Sequence, residues 1–496
     1  MKSKLKILMV YSEVAPFSKT GGLGDVGGSL PKALKDMGHD VRIITPQYQS
    51  INERRYILRD VIRLQNIGVS VGAETHQIHV KSAFLPDTKV QVYFIDYKPF
   101  FFRKGMYTDP KTGADYPDNA QRFALFSKGV LETLNRLHWQ PDIIHCNDWQ
   151  TGLIPYYLKT LYLGNPFFSQ TSTLFTVHNF AFQGWFDAKN AAAIGFDTKN
   201  RSADSGLDAN GGVNFLRLGI QSSDLLNTVS EKHAAEAQSS AEFGFGLEKL
   251  LRSRKKQFFG IANGIDTHVW NPETDKLIPH PYNFQRIPEK EGNKRALFER
   301  FGLPFKAGVP VIAMVTRMTG QKGMDLVRDA FGPIMALNGV FLLLGQGEEA
   351  YETFFKKAVK KYPGRVGVHL GFDESLAHLL IAGADIFLMP SRFEPCGLTQ
   401  IYSLKYGTVP VVAPVGGLLD TVEPVKPRSE RGTGFVLAAI DAKSLVAALK
   451  QAVKAFGDPR TWQRIQKNGM RKDFSWEASA KRYVQLYHKC LLLIKT

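Results

Sequence analysis

The stretch Lys19-Thr20-Gly21-Gly22-Leu23-Gly24-Asp25-Val26 follows an apolar run, Lys6 to Tyr11, and opens an amphipathic run to about Met37. Strand, glycine-rich turn and helix in that order make the first unit of a parallel α/β sheet. Glycines let backbone amides approach an anion closely, Lys19 stands as a lone cation beside them, and Asp25 is placed to cap the helix. Something anionic is expected at this turn. Gly22, Gly24 and Gly27 also satisfy the G-x-G-x-x-G pattern of dinucleotide-binding enzymes. That pattern requires the glycines directly after the strand and an acid at the end of the second strand. Here Glu13 to Thr20 intervene, and the second strand, Val41 to Thr45, ends without an acid. A sugar or phosphate cradle fits better than a nicotinamide or flavin site, with a purely structural turn as the other alternative.

Working outward, apolar runs and helical patterns alternate along most of the chain. Strands are expected at Lys6–Tyr11, Val41–Thr45, Val90–Ile95, Ile143–Cys146 and Thr173–Val177. The irregular stretches Phe100–Asn119 and Thr198–Gly212 read as mobile substrate loops. Near Phe259 the pattern restarts, and Val309–Val315, Val340–Leu344, Val366–Leu370, Ile386–Met389 and Val409–Ala413 read as five further strands. The fold class is therefore α/β, with two Rossmann-like doubly wound domains, 1–260 and 261–474, hinged near residue 260. Their ligand cleft is expected between the carboxyl ends of the two sets of strands. The final segment, 475–496, contains a periodic helix from about Trp476 to Ile494 that could pack on either domain, one arrangement being a return to the first.

Composition narrows the function. With 496 residues and 44% hydrophobic content, the chain can bury substantial cores. A net charge of +17 would suit nucleic acid, an acidic surface or a phosphorylated ligand. The basic residues are scattered apart from short groups such as Arg252–Lys256, and no nucleic-acid motif occurs, so a solvated basic surface is the simpler reading. Cys146, Cys396 and Cys490 are too dispersed for a disulfide framework or a cysteine zinc site. The apolar stretch after Met1–Lys6 stops at Ser12 and Glu13, too short for a signal peptide, and no run is long enough to span a bilayer. A cytoplasmic protein with no membrane partner is expected.

Four stretches sit at expected strand ends. Arg317-Met318-Thr319-Gly320-Gln321-Lys322-Gly323 places two cations five residues apart at a strand-to-helix turn, where they can grip a diphosphate from two sides; two exposed surface cations are the alternative. Pro390-Ser391-Arg392-Phe393-Glu394-Pro395-Cys396-Gly397-Leu398-Thr399-Gln400 sets a carboxylate just before a helix whose first amides, from Gly397, Leu398 and Thr399, would face an anion. Glu394 could hold sugar hydroxyls beside a phosphate, or serve only the helix terminus. In the first half, His145-Cys146-Asn147-Asp148-Trp149-Gln150 and Thr176-Val177-His178-Asn179 offer His178 and Asp148 as ligand-contacting groups. His145 and His178 lie in no recognised metal-ligand spacing, and no metal site is expected.

Together KTGGLGDV at Lys19, HCNDW at His145, TVHN at Thr176, NGID at Asn263, RMTGQKG at Arg317 and SRFEPCGLTQ at Ser391 resemble bacterial glycogen synthases and plant starch synthases, in the family's order over essentially the whole chain. The resemblance implies a GT-B architecture and an ADP-glucose-dependent α-1,4-glucosyltransferase that retains anomeric configuration and needs neither metal nor cofactor. Its partners would be ADP-glucose and an α-1,4-glucan such as glycogen. It assigns Arg317 and Lys322 to the diphosphate, Lys19 to the phosphate and acceptor side, and Glu394 to the glucose hydroxyls. It sets His178 against the sugar, its carbonyl near the reacting carbon, with Asn179 beside it. Asn263 matches a sugar contact, and Cys396, Gly397, Leu398 and Thr399 line the turn after Glu394. Gly21, Gly22 and Asp25 belong to the first glycine loop. Glu13 and Asp148 resemble acceptor-side positions. Phe372 stands where the family commonly has an adenine-stacking aromatic, many members carrying Tyr. A related transferase using another nucleotide sugar, a silent glucan-binding protein and a nicotinamide enzyme are the competing readings. Sequence fixes neither the oligomeric state nor the base of the donor.

Overall fold

The computed structural model describes residues 4–199, 206–426 and 429–493. Its contacts divide the chain into two compact units. The first comprises the described residues within Met1–Val229, Ala234–Ile261 and Trp476–Thr496, and the second Ser230–His233 and those within Ala262–Ser475.

The first unit is built on a ten-stranded sheet. In chain order its strands are β1 (Lys6–Val10), β2 (Asp40–Pro46), β3 (Arg59–Asp60), β4 (Ile67–Val71), β5 (Glu74–Phe84), β6 (Gln91–Asp96), β7 (Ile143–Asn147) and β8 (Ser172–Val177). A separate small hairpin, β9 (Trp185–Phe186) with β10 (Val213–Asn214), precedes the last two strands of the sheet, β11 (Leu225–Thr228) and β12 (Phe258–Gly260). The spatial order is β12-β11-β8-β7-β1-β2-β6-β5-β3, with β4 paired to β5. From β6 to β12 every pairing is parallel. These strands read as apolar runs because helices cover both faces; Ile7, Leu8, Met9 and Val10 of β1 are wholly buried. The order turns back between β1 and β7, the switch point where loops diverge and leave a crevice at the strands' carboxyl ends.

The second unit carries a six-stranded parallel sheet of β13 (Val311–Val315), β14 (Val340–Gly345), β15 (Val366–Leu370), β16 (Ile386–Met389), β17 (Val409–Val412) and β18 (Phe435–Val436). The order β15-β14-β13-β16-β17-β18 is that of a Rossmann sheet, with its switch point between β13 and β16.

Several expectations change. Asp25 does not cap the first helix: Gly21 is the N-cap of Gly22–Asp36, and Asp25 lies inside its first turn. Lys19 is no lone cation, since its Nζ meets Asp25 Oδ1 at 2.7 Å. The pattern does not restart at Phe259, because β12 pairs with β11 and closes the first sheet. The antiparallel β3–β5 extension, β11 and β18 went unread, being polar or short. The stretch Phe100–Asn119 is irregular but tethered: Arg103 pairs with Asp118, and Arg122, wholly buried, donates to the carbonyls of Phe100 and Met106. In the other expected loop, Thr198–Gly212, residues 200–205 lie outside the described residues.

The helix Trp476–Leu493 belongs to the first unit. Tyr487 reaches His145 Nδ1 at 2.9 Å, Asn227 donates to Tyr483 at 3.2 Å, and Arg482 donates to the Gly260 carbonyl at 3.0 Å.

Candidate functional site

In the first unit the candidate residues gather at the carboxyl ends of β1, β7 and β8. Glu13 is only 4% exposed, and its carboxylate is filled by the chain itself. Oε2 accepts from the Thr20 amide at 2.5 Å and the Gly21 amide at 3.3 Å, while Oε1 accepts from the Thr20 hydroxyl at 2.6 Å. The Tyr107 hydroxyl donates to Oε1 at 2.8 Å. Burial and its anionic surroundings push that phenol well above its ordinary range, so it stays a donor. Glu13 is thus the post on which the glycine loop hangs. Tyr107 went unnamed from sequence, its setting in an irregular stretch giving no periodic signal.

The loop itself faces open space. A Cβ built on Gly21 or Gly22 would meet nothing within 4 Å, whereas one on Gly27 would strike the Glu13 carbonyl at 2.8 Å. Gly27 is thus required by packing. Gly21 and Gly22 instead leave the backbone uncovered, with Lys19 and Asp25 half exposed beside them.

Asp148 and His178 form one device. The Asp148 carboxylate accepts the His178 amide at 2.7 Å and also bonds the Asn179 amide. Asn179 N–H belongs to the same peptide unit as the His178 carbonyl, and the two point oppositely, so holding the N–H aims the carbonyl away from Asp148. Burial pushes the Asp148 carboxyl up to about 7. His178 Nε2 lies 2.9 Å from Asn147 Oδ1, and Asn147 spends its amide nitrogen on the Val10 and His145 carbonyls. The network therefore assigns the proton to Nε2. Burial lowers the imidazole to about 3, so it is neutral. Asn179 turns its carboxamide oxygen to the Ala181 amide at 2.9 Å. His145 is structural, wholly buried between Tyr487 and Thr176.

In the second unit the turns after β13 and β16 interlock. Lys322 Nζ meets Glu394 Oε2 at 2.6 Å, both side chains mostly buried, and the Ser391 hydroxyl donates to the same oxygen at 3.1 Å. The Arg392 amide donates to the Gln321 carbonyl at 2.9 Å, and Gln321 donates to the Phe393 carbonyl at 3.2 Å. Gly323, at φ 72°, allows the approach: a Cβ there would lie 2.2 Å from the Pro390 carbonyl. Gly416 and Gly417, which sequence reasoning passed over, buttress the Glu394 turn, with a Cβ on either colliding with the Glu394 or Cys396 carbonyl. Their signal was a glycine pair set off from the end of β17 by three residues.

Arg317 is exposed at the end of β13. The Asn263 backbone bonds the buried Cys396 thiol, which burial pushes up to about 12. Asn263 Oδ1 is buried without a hydrogen-bond partner, as is Thr319 Oγ1 in the Arg317 turn. Such orphans imply a ligand or water that completes them. Gly397, at φ 67°, and Leu398 lead into the helix Thr399–Lys405, which has no side-chain cap. Phe372 stands apart on the loop after β15, 86% exposed. Among the described residues no group of three or more His, Cys, Asp or Glu could hold a metal ion, and no helix is long and apolar enough to cross a membrane.

Two Rossmann-like units, each with polar residues at the carboxyl ends of its strands, are the architecture shared by glycosyltransferases of the GT-B fold. Residues 6–253 match the starch synthase catalytic domain family, and residues 297–471 match glycosyl transferases group 1. The chain belongs to the glycogen synthase and starch synthase family. It is 40% identical over 489 residues to the glycogen synthase of Syntrophotalea carbinolica, covering 99% of both chains. It is 43% identical to glycogen synthase 1 of Methylococcus capsulatus, covering 98% of this chain and 97% of the relative. Among solved structures, the catalytic domain of starch synthase IV from Arabidopsis thaliana bound to ADP and acarbose superposes with a TM-score of 0.87 at 32% identity, over 99% of this chain and 100% of that one.

Proposed function

We propose that this chain elongates an α-1,4-glucan by transferring glucose from ADP-glucose with retention of anomeric configuration. The observation that supports this most is the Lys322–Glu394 pair, a cation and a carboxylate 2.6 Å apart at the switch point of the second sheet. Negative charge gathers on the departing β-phosphate as the bond to glucose C1 breaks, and Lys322 and Arg317 answer it. Glu394 accepts from glucose hydroxyls once the diphosphate shares Lys322. Asn263 Oδ1, buried without a partner, accepts another. The Cys396–Thr399 turn lies beside Glu394, and Phe372 offers its exposed ring to the adenine.

The His178 carbonyl, aimed by Asp148, stabilises the positive charge that develops on the sugar ring. Lys19, Asp25 and the Gly22 amide form the phosphate and acceptor cradle, the Gly21 amide being held by Glu13. Glu13 acts through the loop it holds rather than on the acceptor itself, since the chain's own donors occupy its carboxylate. The acceptor hydroxyl attacks C1 from the face the diphosphate leaves, and its proton passes to the departing phosphate oxygen. One glycosidic bond forms as one glycosyl phosphate bond breaks. Trapping a glucosyl adduct on Glu394 or Asp148 would contradict this front-face route. The reading is tested with radiolabelled ADP-glucose and UDP-glucose, a glycogen primer and EDTA: label should enter glycogen from ADP-glucose in α-1,4 linkage. Incorporation from UDP-glucose alone would point to a different donor.

A further inference from the structure

The segment after β8 holds two large apolar side chains out to solvent on a backbone that is tightly fixed. Phe182 is 65% exposed and Trp185 56% exposed, while Phe180 between them and Asn179 is wholly buried. The Phe182 amide donates to the Asn179 carbonyl at 3.3 Å. The Leu216 and Phe215 amides donate to the Gln183 and Gly184 carbonyls, each at 3.0 Å. Gln183 accepts from Asn214 at 2.6 Å and donates to the Phe245 carbonyl at 2.8 Å. Gly184, at φ 59°, is pressed so close to Trp149 that a Cβ would lie 2.3 Å from its ring. The Trp185 indole N–H donates to Asp208 Oδ2 at 2.9 Å, and Asp208 Oδ1 accepts the Asn210 and Gly212 amides, each at 2.8 Å. The indole is thus tethered at its N–H edge while more than half of the residue stays exposed.

Exposed rings on a rigid backbone are preorganised for binding, since the backbone beneath them needs no further ordering when a ligand arrives. The polar groups around them, Gln183, Asn214 and Asp208, are held by the chain itself. The rings suit a glucan, whose sugars offer apolar C–H faces. Phe182 lies three residues beyond Asn179 and four beyond His178, so the rings continue outward from the strand end assigned to the reacting sugar.

We propose that Phe182 and Trp185 form a stacking platform that holds the α-1,4-glucan acceptor beyond its reacting end. This rests on the functional reading above and adds an acceptor subsite to it. The effect of the rings should grow with acceptor length. In steady-state assays, the Phe182→Ala/Trp185→Ala double variant is expected to raise KM for maltoheptaose about tenfold and for maltotriose less. Turnover and KM for ADP-glucose should stay within about twofold. Trp185→Phe should recover most of the loss, and the double variant should run less retarded in a native gel containing glycogen, with no donor present. Unchanged acceptor KM and gel retardation in a double variant that melts like the wild type would overturn the platform. So would equal losses for donor and acceptor. A chain retarded by glycogen through Trp185 that transfers no glucose keeps the platform and overturns the functional reading; a chain that transfers glucose indifferently to both rings does the reverse.

Discussion

Asp148 takes φ 57° and ψ 179°, a region nearly reserved for glycine, which costs a non-glycine residue about 1–3 kcal/mol. The strain brings its carboxylate under two consecutive amides, where it orients the His178 carbonyl. Its ionisation should therefore govern turnover. The carboxyl sits at about 7, above its ordinary 3.8, so the native state holds a proton that the unfolded chain has released. Its contribution to stability is full below the ordinary value and is lost as pH rises to about 7, while the carboxylate fills over the same upper range. Turnover should rise to a plateau with an apparent pKa near 7, and Asp148→Asn should remove that limb at a cost of about tenfold. Asp148→Ala, which frees both amides, should cost on the order of a thousandfold. An unaltered pH profile in Asp148→Asn would exclude this role. Lys322→Ala or Arg317→Ala should lower turnover by about three orders or more while glycogen binding survives; a threefold loss would defeat the charge argument. The motifs made these side chains legible, because chemistry at a strand end has to be written in residue type. Lys19–Asp25 pairing and the four donors around Glu13 were not legible, since a side chain's partners depend on how the loop closes.

The glycines separate a turn closed by packing from a loop that faces open space. Gly323→Ala must push a Cβ against the Pro390 carbonyl from a left-handed backbone. It should cost about 2–4 kcal/mol in urea unfolding and part Lys322 from Glu394. Gly21→Ala has open space and an extended backbone at φ −155°, so its melting temperature should stay within about 2 °C. Its kcat/KM should nevertheless fall at least tenfold, because the new methyl fills the cradle. A matching loss of stability would make Gly21 merely structural. Most buried parallel strands were readable as apolar runs between helices, but Leu225–Thr228, four residues ending in Asn and Thr, was not. Glu74–Phe84 was not, as it lies outside the β-α alternation and keeps polar residues along much of its length. Phe435–Val436 is too short to show a period.

At the scale of the molecule, the chain leaves the second unit at Ser475 and finishes in the first. The final helix buries Trp476, Tyr483, Leu486, Tyr487 and Cys490 there. Each large buried side chain is worth roughly 1.5–3 kcal/mol, so together they rival the ~5–15 kcal/mol that holds a typical domain folded. Ending the chain at Ser475 should therefore abolish cooperative unfolding of the first unit, followed by circular dichroism; an intact transition would show the helix to be dispensable. Sequence periodicity announced this helix but not its destination, because the choice rests on contacts such as Tyr487 with His145, 342 residues away. The most direct test of the whole account is transfer of radiolabelled glucose from ADP-glucose to glycogen in EDTA, comparing wild type with Lys322→Ala. The account predicts α-1,4-linked incorporation by the wild type, undiminished by EDTA and reduced about a thousandfold or more by the substitution; incorporation abolished by EDTA, or indifferent to Lys322, would contradict it.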